Sequence, residues 1–311
     1  MTDKNITTLN SPSSLNIFER HPHIIAVIAL FVGSCSGVLG KLITANSMAI
    51  GFYRLTFSLP FFAVPLFFKH REMLKNLTKK DILSTALVGF FLFVHFFAWF
   101  KAVQTTTIAS AIVFQALNPI TVLLITVLIF RQPVKGKAVL GIFIALIGGA
   151  IIAGFDYKMA GDTFSGNLFA LLAGTMYAFY FCIGNVLRKR IPATAYVFLV
   201  FFFCWIFFIL GMIGTGTPFV GYPSMDYVWL LLMALFCQIG SHAVNNWCLG
   251  YVSPLFLSTL GTGEIAISTL LAMIVVAEIP TLWQCIGAVI VIVGLICYNL
   301  NSQLDNNSKN K

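Results

Sequence analysis

Gly141-Ile142-Phe143-Ile144-Ala145-Leu146-Ile147-Gly148 returns 146 residues later as Gly287-Ala288-Val289-Ile290-Val291-Ile292-Val293-Gly294. Both copies are apolar on every side and hold glycine at the same two places. A helix with no polar face is not built to meet water. Glycines two turns apart let such a helix approach a neighbour closely inside a membrane. The pair predicts two membrane-spanning helices, the fifth and the tenth, each closing one half of a duplicated chain.

Composition agrees. The 311 residues are 59% hydrophobic and 9% charged, where soluble domains run at about 45–50% and about 25%. The 31 Phe suit lipid-facing helices better than an aqueous core. A span needs about 20 mainly apolar residues, and cutting at polar or Gly/Pro-marked connections predicts ten: 24–44, 49–68, 82–103, 108–130, 136–154, 166–187, 194–214, 227–250, 254–276 and 281–300. Of 19 Lys and Arg, all but Lys41, Arg54, Lys101 and Lys158 lie in the N-tail, the even-numbered connections or the C-tail. Ten spans put those segments on one side, which the positive-inside rule makes cytoplasmic. The net charge of +9 therefore orients the chain and does not point to nucleic acid. The polar first 23 residues carry no cleavable signal, so the first helix serves as its own insertion signal.

Seven cysteines lie in apolar stretches without metal-type or disulfide-type spacing and read as small hydrophobes. Val32-Gly33-Ser34-Cys35 loosely resembles a lipoprotein cleavage box, but the repeat explains Cys35 better. At an offset of 147, Ser34-Cys35-Ser36-Gly37 and Lys41 superpose on Phe181-Cys182-Ile183-Gly184 and Arg188. An offset of 148 brings Trp99 onto Trp247 and Ala102 onto Gly250, and 146 brings Gln132 onto Glu278. Five helices per half make the second unit enter from the opposite side, so the repeat is inverted. The expected fold is all-α and integral to the membrane: an N-tail (1–23), a first repeat (24–154), an extracytoplasmic linker (155–165), a second repeat (166–300) and a C-tail (301–311), both termini inside.

Phe52-Tyr53-Arg54-Leu55, Leu117-Asn118-Pro119, Gly263-Glu264 and Ala277-Glu278-Ile279-Pro280 occur in an order and spacing that resemble the drug/metabolite transporter superfamily, specifically its EamA-type members. The resemblance covers about 24–300 and implies a central cavity and metabolite transport. Two positions depart from the family pattern. Gln132 stands where the first half usually has an acidic residue, and Ile265 where the second usually has proline.

Polar residues inside spans localise a site. Charge at the bilayer centre costs about 2.5–3.5 kcal/mol on insertion scales, so a retained charge faces protein or a water-filled cavity. Glu264 lies ten residues after Pro254, near the midplane of the ninth helix. It is a candidate carrier of a proton or a substrate amine, or else a protonated carboxyl bonded to a neighbouring helix. Its repeat mate is Asn118, one turn beyond Gln115. Pro119 breaks the fourth helix by lacking an N–H, and Gly261 and Gly263 loosen the ninth at the corresponding depth. Paired interruptions in inverted halves point to a transporter site.

A second cluster joins His95 and Trp99 in the third helix to His242, Asn245, Asn246 and Trp247 in the eighth. Such a wall suits a zwitterionic or aromatic solute, with interhelical hydrogen-bond glue as the alternative. His242 is a second proton-coupling candidate. Tyr177 and Tyr180 add an aromatic face on the sixth helix. Arg54 reads as structural, either snorkelling outward or pairing with Glu278, and Lys41, Lys101 and Lys158 read as interfacial anchors.

No nucleotide-binding, zinc-protease or nucleophile-elbow motif occurs in a usable context, so neither a cofactor nor a metal is expected. The reading is a non-enzymatic secondary transporter or facilitator in a bacterial cytoplasmic membrane. It moves a small metabolite such as an amino acid, in the export direction. Its partners are that solute, the lipid bilayer and protons as coupling ion, and it works as a monomer or homodimer. The competing readings are a membrane-embedded enzyme acting on lipid-linked substrates and a channel-like or accessory protein.

Overall fold

The computed structural model describes residues 21–69, 71–75, 77–129, 136–158 and 163–308. Gln132, the N-tail before residue 21, the middle of the linker and the last three residues of the C-tail lie outside the described residues, as does the side chain of Lys158. Every regular element among the described residues is helical. Lipid offers no hydrogen-bond partner, so each span must satisfy its backbone within itself.

Among the described residues, nine helices are long and apolar enough to cross a membrane: α1 (Pro22–Leu42), α2 (Ser47–Phe68), α3 (Lys79–Thr105), α4 (Ile108–Ile125), α5 (Val139–Asp156), α6 (Thr163–Arg188), α7 (Ala193–Thr215), α8 (Ser224–Cys248) and α9 (Pro254–Val275). The expected tenth, α10 (Leu282–Ser308), is apolar only over Leu282–Tyr298, a shorter apolar stretch than in the other nine. Its helical backbone continues to Ser308, through residues read from the sequence as a tail.

Local chemistry sets the helix starts. Asp81 and Thr78 cap α3 reciprocally, each side chain accepting from the other's backbone N–H at 3.0 and 3.2 Å. Thr107 caps α4 by accepting from the Ser110 N–H at 3.2 Å, and Ser253 caps α9 by accepting from Phe256 at 3.1 Å. Thr107 and Ser253 are themselves repeat mates, so the two broken helices begin alike.

The halves meet through their own counterparts. α2 packs on α7, α4 on α9 and α5 on α10, and α3 packs on α6 as α8 does on α1. Each self-paired set runs antiparallel. Thr56 meets Trp205 at 2.9 Å while Phe67, farther along α2, meets Phe198, earlier in α7, with ring centroids 5.4 Å apart. Counterpart helices that cross antiparallel are related by an axis across the bundle, which is an inverted repeat.

The glycines read first from the sequence sit at the α5–α10 crossing. A Cβ on Gly141 would come within 2.6 Å of the Gly294 carbonyl, and one on Gly148 within 2.6 Å of the Gly287 carbonyl. Neither backbone has room to give, so hydrogen side chains are required there. A Cβ on Gly154, in the same helix, would meet nothing within 4 Å. Alanine is the better helix former by about 1 kcal/mol, so Gly154→Ala should leave the thermal midpoint in detergent unchanged or raised. Gly148→Ala should lower it, at an overpacking cost of about 1–3 kcal/mol. Equal midpoints for the two variants would contradict the close crossing.

Candidate functional site

Three spans are broken: α1 at Ser34–Cys35, and the counterparts α4 and α9 at matched depth. α4 stops at Gln115 and resumes at Asn118, and α9 stops at Leu260 and resumes at Gly263. Pro119 cannot donate a backbone hydrogen bond, and Gly261 and Thr262 bridge the gap in α9. Broken backbone is tolerated at membrane depth only against protein or a cavity, and here it borders one. Gln115, Asn118, Gly261 and Glu264 line that cavity with Tyr177 and Phe181 of α6 and Ser241 and Asn245 of α8. A second compartment shares Gln115, Tyr177, Ser241 and Glu264 and adds Ser36, His95, Trp99, Cys237 and His242. The two polar clusters that appear separate in the sequence are thus one lining, joined at Glu264 and Tyr177.

Hydrogen bonds fix several of these groups. The Asn118 Oδ1 accepts from Ser258 Oγ at 2.6 Å across the α4–α9 contact. The His95 Nδ1 lies 2.9 Å from the Ala173 carbonyl. A carbonyl only accepts, so Nδ1 carries the proton and, in the neutral ring, Nε2 is left as an acceptor. The His95 ring also stacks on Tyr177, centroids 4.5 Å apart. Trp99 Nε1 donates to Ser36 Oγ at 3.1 Å. By contrast, Gln115 Oε1 and His242 Nδ1 are buried without a hydrogen-bond partner among the described residues. Both residues line the cavity, where a solute or water would satisfy them.

Three predicted residues lie elsewhere. Tyr180 donates its hydroxyl to Asn246 Oδ1, both fully buried, and neither reaches the lining. Neighbours on a helix point about 100° apart, so with Asn245 facing the cavity Asn246 turns to α6. Trp247 packs on Tyr251 at 4.5 Å. Tyr180 and Asn246 join α6 to α8, the glue alternative of the sequence reading.

Arg54 is also corrected. It neither snorkels nor meets Glu278, because its side chain is wholly buried under Phe96, its guanidinium 4.0 Å from that ring. Glu278 pairs instead with Lys41, at 2.7 Å. Lys41 is therefore a bridging residue, not a plain anchor.

The sequence reading also missed Ser258, Cys237 and a π-helical stretch, Ala234–Ala243, inside α8. This wide pitch carries Ser241 and His242 into the lining, and π turns recur at functional sites. Gly240 interrupts the apolar run there, the only signal available beforehand.

The cavity runs from the helix breaks toward the end of the bundle where α1 and α9 begin, with Ala26 and Leu257 in its wall. The opposite end is tied shut by polar bonds. Lys41 donates to the Thr106 carbonyl at 2.9 Å, and Glu278 accepts from the Ile108 N–H at 2.8 Å. Ala277, at a φ of 54°, turns the chain into this latch; a left-handed non-glycine residue marks local strain. Asp226 accepts from the Thr44 and Ala45 N–H groups at 3.1 and 2.9 Å. Asp156 accepts from Ser110, Asn167 and Gln284 at 2.7, 2.8 and 3.3 Å, joining the ends of four helices.

Comparison with known proteins agrees with this architecture. The sequence pattern of the EamA-like transporter family matches residues 22–154 and again 164–300. The chain is 31% identical over 119 residues to the uncharacterized transporter YxxF of Bacillus subtilis (strain 168), a match spanning 38% of each protein. It is 28% identical over 217 residues to an uncharacterized transporter of Clostridium kluyveri, covering 67% of this chain and 69% of that one. A crystal structure of another protein shares the fold with a TM-score of 0.62 at 16% identity, over 92% of this chain and 98% of that chain. Two matches of the family pattern, one to each half of a multi-pass membrane bundle, place this chain in the EamA-like transporter family.

Proposed function

We propose that the chain is a secondary carrier that moves a small metabolite, an amino acid or related compound, by alternating access of its two halves. In this reading α10 completes ten spans. Both termini are cytoplasmic, the membrane is a bacterial cytoplasmic membrane, and net movement is export.

The observation that carries the proposal is the shared lining at the antiparallel α4–α9 crossing. Repeat mates Asn118 and Glu264 face one cavity whose far end is latched. Inverted halves have a second arrangement available to them, in which each half takes the other's conformation and the latched end opens. With the N-tail inside, the present arrangement faces the cytoplasm. A solute would enter past Ala26 and Leu257, meet Gln115, Tyr177 and Glu264, and leave once the Lys41–Glu278 latch parts. Glu264 is not ion-paired among the described residues, which suits a carboxyl that exchanges a proton or a substrate ammonium during each cycle. His242 is the alternative proton carrier.

If Glu264 carries the coupling proton, counterflow of a labelled solute in proteoliposomes should depend on pH in the native protein and lose that dependence in Glu264→Gln. An unchanged pH profile in the variant would remove Glu264 from coupling.

The latch makes a separate prediction. Hydrogen bonds to charged groups contribute about 1.5–3 kcal/mol, so Glu278→Gln should favour opening at that end by roughly tenfold or more. Hydrogen–deuterium exchange of the peptide containing Ile108 should accelerate accordingly. An unchanged exchange rate would mean that Glu278 does not hold this end closed.

A further inference from the structure

The carrier cycle leaves one charged group without a role. Arg54 is 0% exposed, and none of its three guanidinium nitrogens has a hydrogen-bond partner among the described residues. No carboxylate lies within ion-pair distance of it among the described residues. Its only direct compensation is the face of Phe96 at 4.0 Å, with Phe100 behind at 5.5 Å. A desolvated cation–π contact offsets only part of what burying an ion costs. The rings therefore leave much of the cost unmet, and an anion would meet it.

The place where that anion would come from is adjacent. Arg54 is within electrostatic reach of Cys237, Cys204, Tyr177 and Cys35, and His95 and His242 feel its charge in turn. Of these, Cys237, Tyr177, His95 and His242 line the second compartment of the cavity, and Cys35 and Cys204 do not. Phe96, which covers the guanidinium, meets the edge of His242 at 4.8 Å on that same wall. Arg54 thus stands one ring behind the lining. The wall between them belongs partly to the π-helical stretch of α8, against which α2 packs. On that stretch, which also carries the lining residues Cys237, Ser241 and His242, Gln238 is 0% exposed with neither amide atom partnered among the described residues. Two buried groups, a guanidinium and a carboxamide, therefore lack partners behind a lining whose His242 Nδ1 is likewise unpartnered.

We propose that Arg54 is the anion-recognition element of the solute site, and that the solute is a small organic carboxylate whose carboxylate docks on the guanidinium with the Gln238 amide as second donor. This deepens the reading of the cavity as a solute site and rests on it. A planar guanidinium matches a carboxylate in a paired fork. Access follows if the π stretch tightens toward ordinary helical pitch, which rotates Gln238 and His242 relative to α2. Arg54 and Glu264 then act at opposite ends of the bound molecule, one on the carboxylate and one on a cationic or proton-donating group.

The test uses the full chain purified in detergent and a panel of amino acids and 2-oxo acids, each paired with its own carboxamide. Thermal unfolding reads binding directly, since a ligand for the folded state raises the midpoint. At least one acid should raise the midpoint while its carboxamide does not. In Arg54→Gln its apparent affinity should fall by about tenfold or more, and Arg54→Lys, which keeps the charge but not the fork, should fall between. Without ligand, Arg54→Gln should match or exceed the native midpoint, because an uncompensated buried charge has been removed; a large drop would make Arg54 structural and overturn the proposal. It is equally overturned if acid and carboxamide stabilise alike, if no acid in the panel stabilises, or if Arg54→Gln responds as the native chain does. Should Arg54→Gln yield no folded protein to measure, Arg54→Lys decides instead: a weakened response to the acid supports the proposal, and a response equal to that of the native chain overturns it.

Counterflow separates the two readings. An acid that binds through Arg54 but shows no counterflow leaves the anion site and removes the carrier. Equal counterflow of a carboxamide leaves the carrier and removes the anion site.

Discussion

Lipid cannot hydrogen-bond a peptide group, and the arrangement of this protein follows from where that rule is relaxed. Most of its spans are uninterrupted helices. α4 and α9 break within a few residues of matched positions, at Ala116–Leu117 and Gly261–Thr262, and both breaks border the same cavity. The backbone groups released there need protein or water around them, so the cavity and the breaks imply each other. The crossing of α5 and α10 serves this arrangement from outside. Four glycines bring those helices into backbone contact and clamp the two repeats together.

Duplication supplied the frame, and divergence between the copies supplies the chemistry. Thr107 and Ser253 still cap their helices in the same way. Asn118 and Glu264 no longer match, and one carboxyl faces a cavity that a strictly symmetric protein would line twice over. Lys41 and Glu278 latch one end through an ion pair. Their counterparts, Arg188 and Gln132, contain no carboxylate, and Arg188 bonds instead to the Ile191 and Asn246 carbonyls at 2.5 and 3.0 Å. The two ends are thus held by different bonds, the Lys41–Glu278 pair at one and an Arg190–Asp81 pair at 2.8 Å at the other.

Much of this was legible in the sequence because it depends on local pattern. Hydropathy located nine spans and the shorter tenth, the glycine spacing located the tight crossing, and Pro119 with Gly261 and Gly263 located the breaks. Patterns along a chain do not give rotation about a helix axis or partners across helices. Hence Asn246, Tyr180 and Trp247 resembled lining residues yet lie behind the lining, and two clusters assigned to different helix pairs proved continuous through Tyr177. The π-helical pitch of α8 changes which of its residues face inward, and no periodicity rule anticipates it. Arg54 was misplaced for a related reason. Its position near the start of α2 suggested an interface, but Phe96 of α3 folds over it and closes it off.

The central claim is that the α4–α9 cavity opens to each side of the membrane in turn. It is tested most directly by replacing Ser241, which lines both compartments of the cavity, with cysteine in a chain whose seven native cysteines have been removed, and labelling with a membrane-impermeant maleimide from either side of oriented vesicles. At rest the account predicts labelling from the side where α1 and α9 begin. During solute exchange it predicts labelling from the other side as well. Labelling confined to one side under every condition would contradict it.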